Sequence, residues 1–152
     1  ISLNYPNNAT TLSLYNNTFV DNGLAIEIKG SNFTKNLSNN LTSGGPGFSI
    51  ATDPQVMTNN ASSDATADDY GGTGNRVNQT FTFVDETNED FHLTSNDAGA
   101  KDYGISNPGS GLYSDDIDGV ARSGSWDIGA DEYVAAGGGA VAPPITQVII
   151  WD

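Results

Sequence analysis

A short phrase stands twice in this chain, 23 residues apart: "LYNN" at Leu14 to Asn17 and "LSNN" at Leu37 to Asn40. A second echo keeps nearly the same step, because Ile26 and Ile28 of "AIEI" return as Phe48 and Ile50 of "FSI", 22 residues on. A repeat of this length, made of short alternating segments, is what a solenoid produces when each coil stacks on the last and strands pair between coils. Leu12, Leu14, Phe19, Ile26 and Ile28 then point inward, and Ser13, Glu27 and Lys29 face water. The paired asparagines belong at bends, since Asn tolerates the left-handed backbone and stacked amides hydrogen-bond along the axis. Helix is expected to be minor: Gly, Asn, Ser, Thr and Asp abound, and no window sustains a 3.6-residue apolar period.

A length of 152 residues allows one domain of ordinary size. Nineteen Asp and Glu against five Lys and Arg leave a formal charge of -14, which repels polyanions, so nucleic acid and anionic lipid are excluded as partners. The chain has no cysteine, which rules out disulfides and thiol catalysis and fits an extracellular or cell-surface protein of a prokaryote. No apolar run approaches the 18 or so residues of a membrane span.

"LSLYNNTFVDNG" followed by "AIEIKG" resembles the late coils of right-handed parallel β-helix proteins of the pectate-lyase-like group. "DETNEDFHLTSNDAGAKDYG" and "DIDGVARSGSWDIGADEY" resemble more specifically the closing segment of bacterial β-helix surface proteins of the choice-of-anchor Q type. The resemblance covers about residues 10 to 134 and implies an all-β fold: a short right-handed parallel β-helix of two to three coils, an irregular C-terminal cap and a terminal strand. The expected organisation is coils over 1–60, a β-rich cap over 61–134, a Gly/Ala/Pro linker over 135–144 and a terminal strand over 145–152. It attaches no single activity, because the group spans adhesive, stalk and carbohydrate-active proteins.

The stretch Ser114 to Tyr133 packs six acidic residues around Arg122. Asp116, Asp118 and Gly119 open a calcium-loop pattern, D-x-D-G, but the later ligand positions of such a loop are not completed. The structural reading has Arg122 forking to Asp118 or Asp127, with Gly119 and Gly129 letting backbone pass closely. His92 is the single histidine, so metal sites with two imidazoles are excluded; a face histidine is expected there rather than a general base. Lys29, Lys35, Lys101, Arg76 and Arg122 are scattered, with no basic cleft of the kind a β-helix lyase needs. Asn8, Asn16, Asn32, Asn36, Asn40, Asn60 and Asn78 each head an N-x-S/T triplet, which reads either as glycan acceptors or as turn chemistry.

Two to three coils are few for a solenoid, and the first coil leaves an unpaired edge. The apolar end segment "ITQVIIWD", with Val148, Ile149, Ile150 and Trp151, is suited to pair with such an edge on another copy. The expectation is therefore an extracellular structural or adhesive module without enzymatic activity or obligatory cofactor, assembling head to tail with copies of itself into a filament and carrying glycans. The alternative is the C-terminal part of a polysaccharide lyase or glycoside hydrolase of β-helix fold. A calcium-dependent carbohydrate-binding module is a third reading.

Overall fold

The computed structural model describes residues 1–4, 11–30, 33–51 and 55–135. The first coil carries β1 (Ser2–Asn4), β2 (Thr11–Tyr15) and β3 (Thr18–Val20). The second carries β4 (Ile26–Lys29), β5 (Thr34–Ser38) and β6 (Leu41–Ser43). The third carries β7 (Phe48–Ile50), β8 (Gln55–Thr58) and β9 (Ala61–Ser62). Strands at equivalent places in successive coils pair in parallel, giving three sheets with orders β1-β4-β7, β2-β5-β8 and β3-β6-β9. The fold is an all-β parallel solenoid, and among the described residues the only helical pieces are two 3-10 turns.

The register reproduces the sequence repeat. Leu14 lies beside Leu37, and Ile26 and Ile28 lie beside Phe48 and Ile50. Of the inward residues expected from alternation, Leu12, Ile26 and Ile28 are buried and Leu14 and Phe19 partly so; Leu37, Phe48, Ile50 and Met57 complete the core, with Leu3 packed against it. One inward position breaks the pattern. Lys35, beside Leu12 in the sheet, is fully buried, and its Nζ lies 4.3 Å from the centre of the Phe33 ring with no hydrogen-bond partner among the described residues.

Each "NN" is a two-part corner. The first asparagine takes the left-handed conformation, with φ of 51° at Asn16, 57° at Asn39 and 52° at Asn59. The second turns inward into a ladder: Asn17 Nδ2 donates to Asn40 Oδ1 and Asn40 Nδ2 to Asn60 Oδ1, both at 2.9 Å. Asn60 Nδ2 continues it to Asn75 Oδ1 at 3.3 Å. The ladder thus runs one step beyond the third coil, where "GN" at Gly74 and Asn75 replaces "NN" and glycine supplies the left-handed bend. Isolated bridges from Thr58 to Thr73 and from Ala61 to Arg76 mark the same partial fourth coil, so the solenoid continues past the expected boundary at residue 60.

The two ends of the solenoid differ. Beyond the third coil, Thr66 Oγ1 accepts from Phe48 N at 3.0 Å, Tyr70 Oη accepts from Ile50 N at 2.9 Å, and Asp64 accepts from Gly47 N at 3.2 Å, so side chains occupy the open amides of β7. Ala67, Tyr70 and Val77 cover the core there. At the first coil, no described residue pairs with the outer edges of β1, β2 or β3. Leu3, Leu14 and Phe19 are only partly buried, whereas Ile28 and Leu37 one coil further in are sealed.

The remaining chain does not extend the coils; it lies along their flank. An antiparallel hairpin with a bulge, β10 (Phe83–Asp85) and β11 (Asp90–Leu93), begins it. Thr18, Leu41, Ala61 and Arg76 form one outward column across β3, β6, β9 and the fourth coil. That column is the cap's seat. Leu41 and Ala61 form a second core with Leu93, Ala100 and Ile128; Arg76 donates to the carbonyls of Ala98 and Gly99, and Thr18 Oγ1 accepts from Ala130 N at 2.9 Å.

Candidate functional site

The carboxylates between Asp97 and Glu132 act mainly as acceptors for main-chain N–H groups, an arrangement that closes irregular chain without secondary structure. Asp97 accepts from Gly99, Ala100 and Lys101 with one oxygen and from Thr82 with the other. Asp127 accepts from Asp102 N at 2.7 Å and Tyr133 N at 2.6 Å. Asp116 accepts from Asp118 N and Val120 N with one oxygen and from Glu132 N with the other. Burial pushes the carboxyls of Asp127 and Glu132 upward, against the pull of these N–H groups.

Arg122 fills the centre, its side chain only 1% exposed. Its guanidinium pairs with Glu132 at 3.2 Å and donates to the carbonyls of Asp115, Asp127, Gly129, Ala130 and Asp131. The expected pairing with Asp118 or Asp127 is corrected accordingly: the carboxylate partner is Glu132, and Asp127 offers its carbonyl because its side chain is committed to backbone. Gly129 shows why glycine stands in "DIGADEY". Its φ is 109°, and a Cβ there would lie 2.6 Å from Thr18 Oγ1. The closeness lets Gly129 N donate to Asn39 O while its own carbonyl accepts from Asn16 Nδ2.

The first asparagines of the corners complete this junction. Asn16 Nδ2 donates to the carbonyls of Asp127 and Gly129, Asn39 exchanges two hydrogen bonds with Ile105, and Asn59 Nδ2 donates to Tyr103 O. Sequence reading placed Asn at bends and in an axial stack but missed that one asparagine of each pair holds the cap. Among the glycan-acceptor candidates, Asn16, Asn40 and Asn60 are buried and spent in these contacts. Asn36 is half-buried, Asn78 is exposed, and Asn8 and Asn32 lie outside the described residues, as do Val148, Ile149, Ile150 and Trp151.

A second cluster lies where the hairpin, the stretch around Arg122 and the first coil meet. His92 on β11 bonds Asp90 through Nδ1 and Asp118 through Nε2, the latter at 2.6 Å. Asp131 stands beside them, with ligand atoms of His92, Asp118 and Asp131 all within 4.8 Å of one another. Burial works to lower the imidazole's pKa, but the two hydrogen-bonded carboxylates and the charge of Asp131 outweigh it and raise it to about 9. His92 is thus an imidazolium at neutral pH, unable to take a proton as a base. Burial raises Asp131 to about 6. Asp118 therefore pairs with His92, not Arg122, while Asp116 accepts main-chain N–H groups at both of its oxygens. A pocket of about 200 Å³ opens against His92 and Asp131, with Thr18, Glu89, Phe91, Ile117 and Ala130 as its other walls.

No helix among the described residues is long and apolar enough to cross a membrane. Comparison of the chain with protein-family models, with curated proteins and with solved structures gives no match.

Proposed function

We propose that this chain is a structural or adhesive module of an extracellular parallel β-helix of the choice-of-anchor Q kind, acting at a prokaryotic cell surface and associating with copies of itself. The observation that carries the proposal is the asymmetry of the solenoid. One end is closed by Asp64, Thr66 and Tyr70, while at the first coil Leu3, Leu14 and Phe19 are half-covered and no described residue pairs with the outer strand edges. An uncovered β edge above an apolar interior is a template for strand addition.

The cap contributes a second support. It returns along the flank until Ala130 reaches Thr18 in the first coil. The segment 145–152, with Val148, Ile149, Ile150 and Trp151, supplies the strand that pairs with the open edge of the next molecule, and serial donation makes a head-to-tail filament. Asn78, exposed on the surface, and Asn36 are the acceptors for a glycan coat.

Removing residues 145–152 is expected to convert large particles, seen by light scattering and negative-stain microscopy, into monomers with a lowered Tm. Particles of unchanged size after that deletion would overturn the assembly reading.

A further inference from the structure

We propose that His92, Asp118 and Asp131 form a binding site for a first-row transition dication, zinc being the best fit. The three ligands come from separate segments, β11, the 115–119 turn and the 129–133 stretch, and their donor atoms fall within 4.8 Å of one another. Three protein ligands and one open position make a familiar zinc arrangement, and a mixed imidazole and carboxylate set favours zinc over calcium, which takes six to eight oxygens.

Two further observations point to a ligand. Asp131 is only 7% exposed; its Oδ2 accepts from Leu93 N at 2.7 Å, and the residue lines the pocket. The pocket supplies room for the fourth ligand, a water or a small anion, beside the partly apolar wall of Phe91 and Ala130. His92 is also already oriented: Asp90 holds Nδ1, so Nε2 is the nitrogen that faces Asp118 and Asp131, and a carboxylate on the far nitrogen is the usual support of a metal-bound imidazole.

Charge favours the exchange. Asp90, Asp118 and Asp131 lie about one imidazole with Glu89 on the same pocket, and among the described residues no Lys or Arg ion pair involves any of them. Binding replaces the Nε2 proton, which leaves to solvent, by a dication bonded to Nε2 and to one oxygen each of Asp118 and Asp131; the Nδ1 hydrogen bond to Asp90 is kept. The exchange requires Nε2 and the Asp118 oxygen to part by several tenths of an ångström from their 2.6 Å separation. Because the ligands join the hairpin, the 115–119 turn and the 129–133 stretch, a bound ion pins these segments of the cap together.

The test uses the full chain stripped by chelator and desalted, then titrated with cobalt(II) or zinc chloride alone. Cobalt(II) is expected to give a visible d–d band that zinc abolishes by displacement, and zinc at a hundredfold excess over Kd to raise Tm by about 5–10 °C. His92→Gln and Asp118→Asn should each remove the band while far-UV circular dichroism stays as in the parent. Asp90→Asn should weaken cobalt binding about ten- to a hundredfold, and the exposed Asp69→Asn should leave it unchanged. Absence of a band in the parent chain, a band that survives both ligand variants, or an equal Tm rise with calcium would each overturn the site.

Discussion

Lys35 is the residue that sequence patterning misjudges most. The sequence showed it only as one of five scattered cations, yet it points into the solenoid beside Leu12 with, among the described residues, the Phe33 ring facing its amine. A buried amine without a hydrogen bond costs stability that a cation–π contact offsets only in part. Lys35→Met is therefore expected to stabilise the fold by about 1–3 kcal/mol, read as a higher urea midpoint at unchanged slope. Arg122 is the opposite case. Its guanidinium serves five carbonyls and Glu132, and Arg122→Met strips those carbonyls of a donor and leaves the buried Glu132 carboxylate without its counter-charge, at a cost of about 3–5 kcal/mol by urea unfolding. Arg122→Lys recovers little, because a single ammonium cannot reproduce five donors fixed in a plane. That Arg122 was central could be read from its isolation among six acids; its actual partner could not, since Asp118, Asp127 and Glu132 are all within reach in sequence.

At the scale of elements, the asparagine ladder sets coil register more strictly than hydrophobic alternation. Asn40 accepts from Asn17 and donates to Leu14 O and Asn60 Oδ1 while fully buried. Truncating it orphans several buried groups at once, so Asn40→Ala should cost about 2–4 kcal/mol, against less than about 0.5 kcal/mol for the half-buried Asn36→Ala on the adjacent strand; paired thermal melts decide it. The sealed end carries its own pH signature. Burial tends to raise the carboxyl of Asp64, but the hydroxyl and N–H of Thr66 and the N–H of Gly47 outweigh it and hold it below its ordinary value of 3.8. A group with a depressed folded pKa stabilises the fold above its unfolded value and loses that contribution as pH falls through the folded one. Between pH 4 and 2 the parent chain should lose more stability than Asp64→Asn, measured as the difference in Tm on acidification. The "NN" phrases made the coil corners legible; "GN" at 74–75 hid the fourth, because glycine reaches the same backbone conformation without resembling asparagine.

For the whole molecule, protection should be graded along the solenoid axis. The second coil has a partner on both sides and the third is covered by residues 64–79, whereas among the described residues the first has a partner on one side only. Hydrogen exchange is therefore expected to be slowest at β5, faster at β8 and fastest at β1 and β2; equal protection in all three coils would contradict an open end. The chain's own letters determined the coil length, the inward residues and the sites of the bends, because these depend on neighbours a fixed number of residues apart. They also marked Ser114 to Tyr133 as a closure, since many acids about one arginine in a Gly-rich stretch has few uses except binding backbone. Only the tertiary structure decided where that closure sits. Leu41 and Ala61 have their outward faces covered by the cap, and the face histidine His92 is satisfied by Asp118, 26 positions later, closing on its ring. Such pairings follow from how an irregular chain of some fifty residues packs against a finished surface, and no periodicity encodes that path.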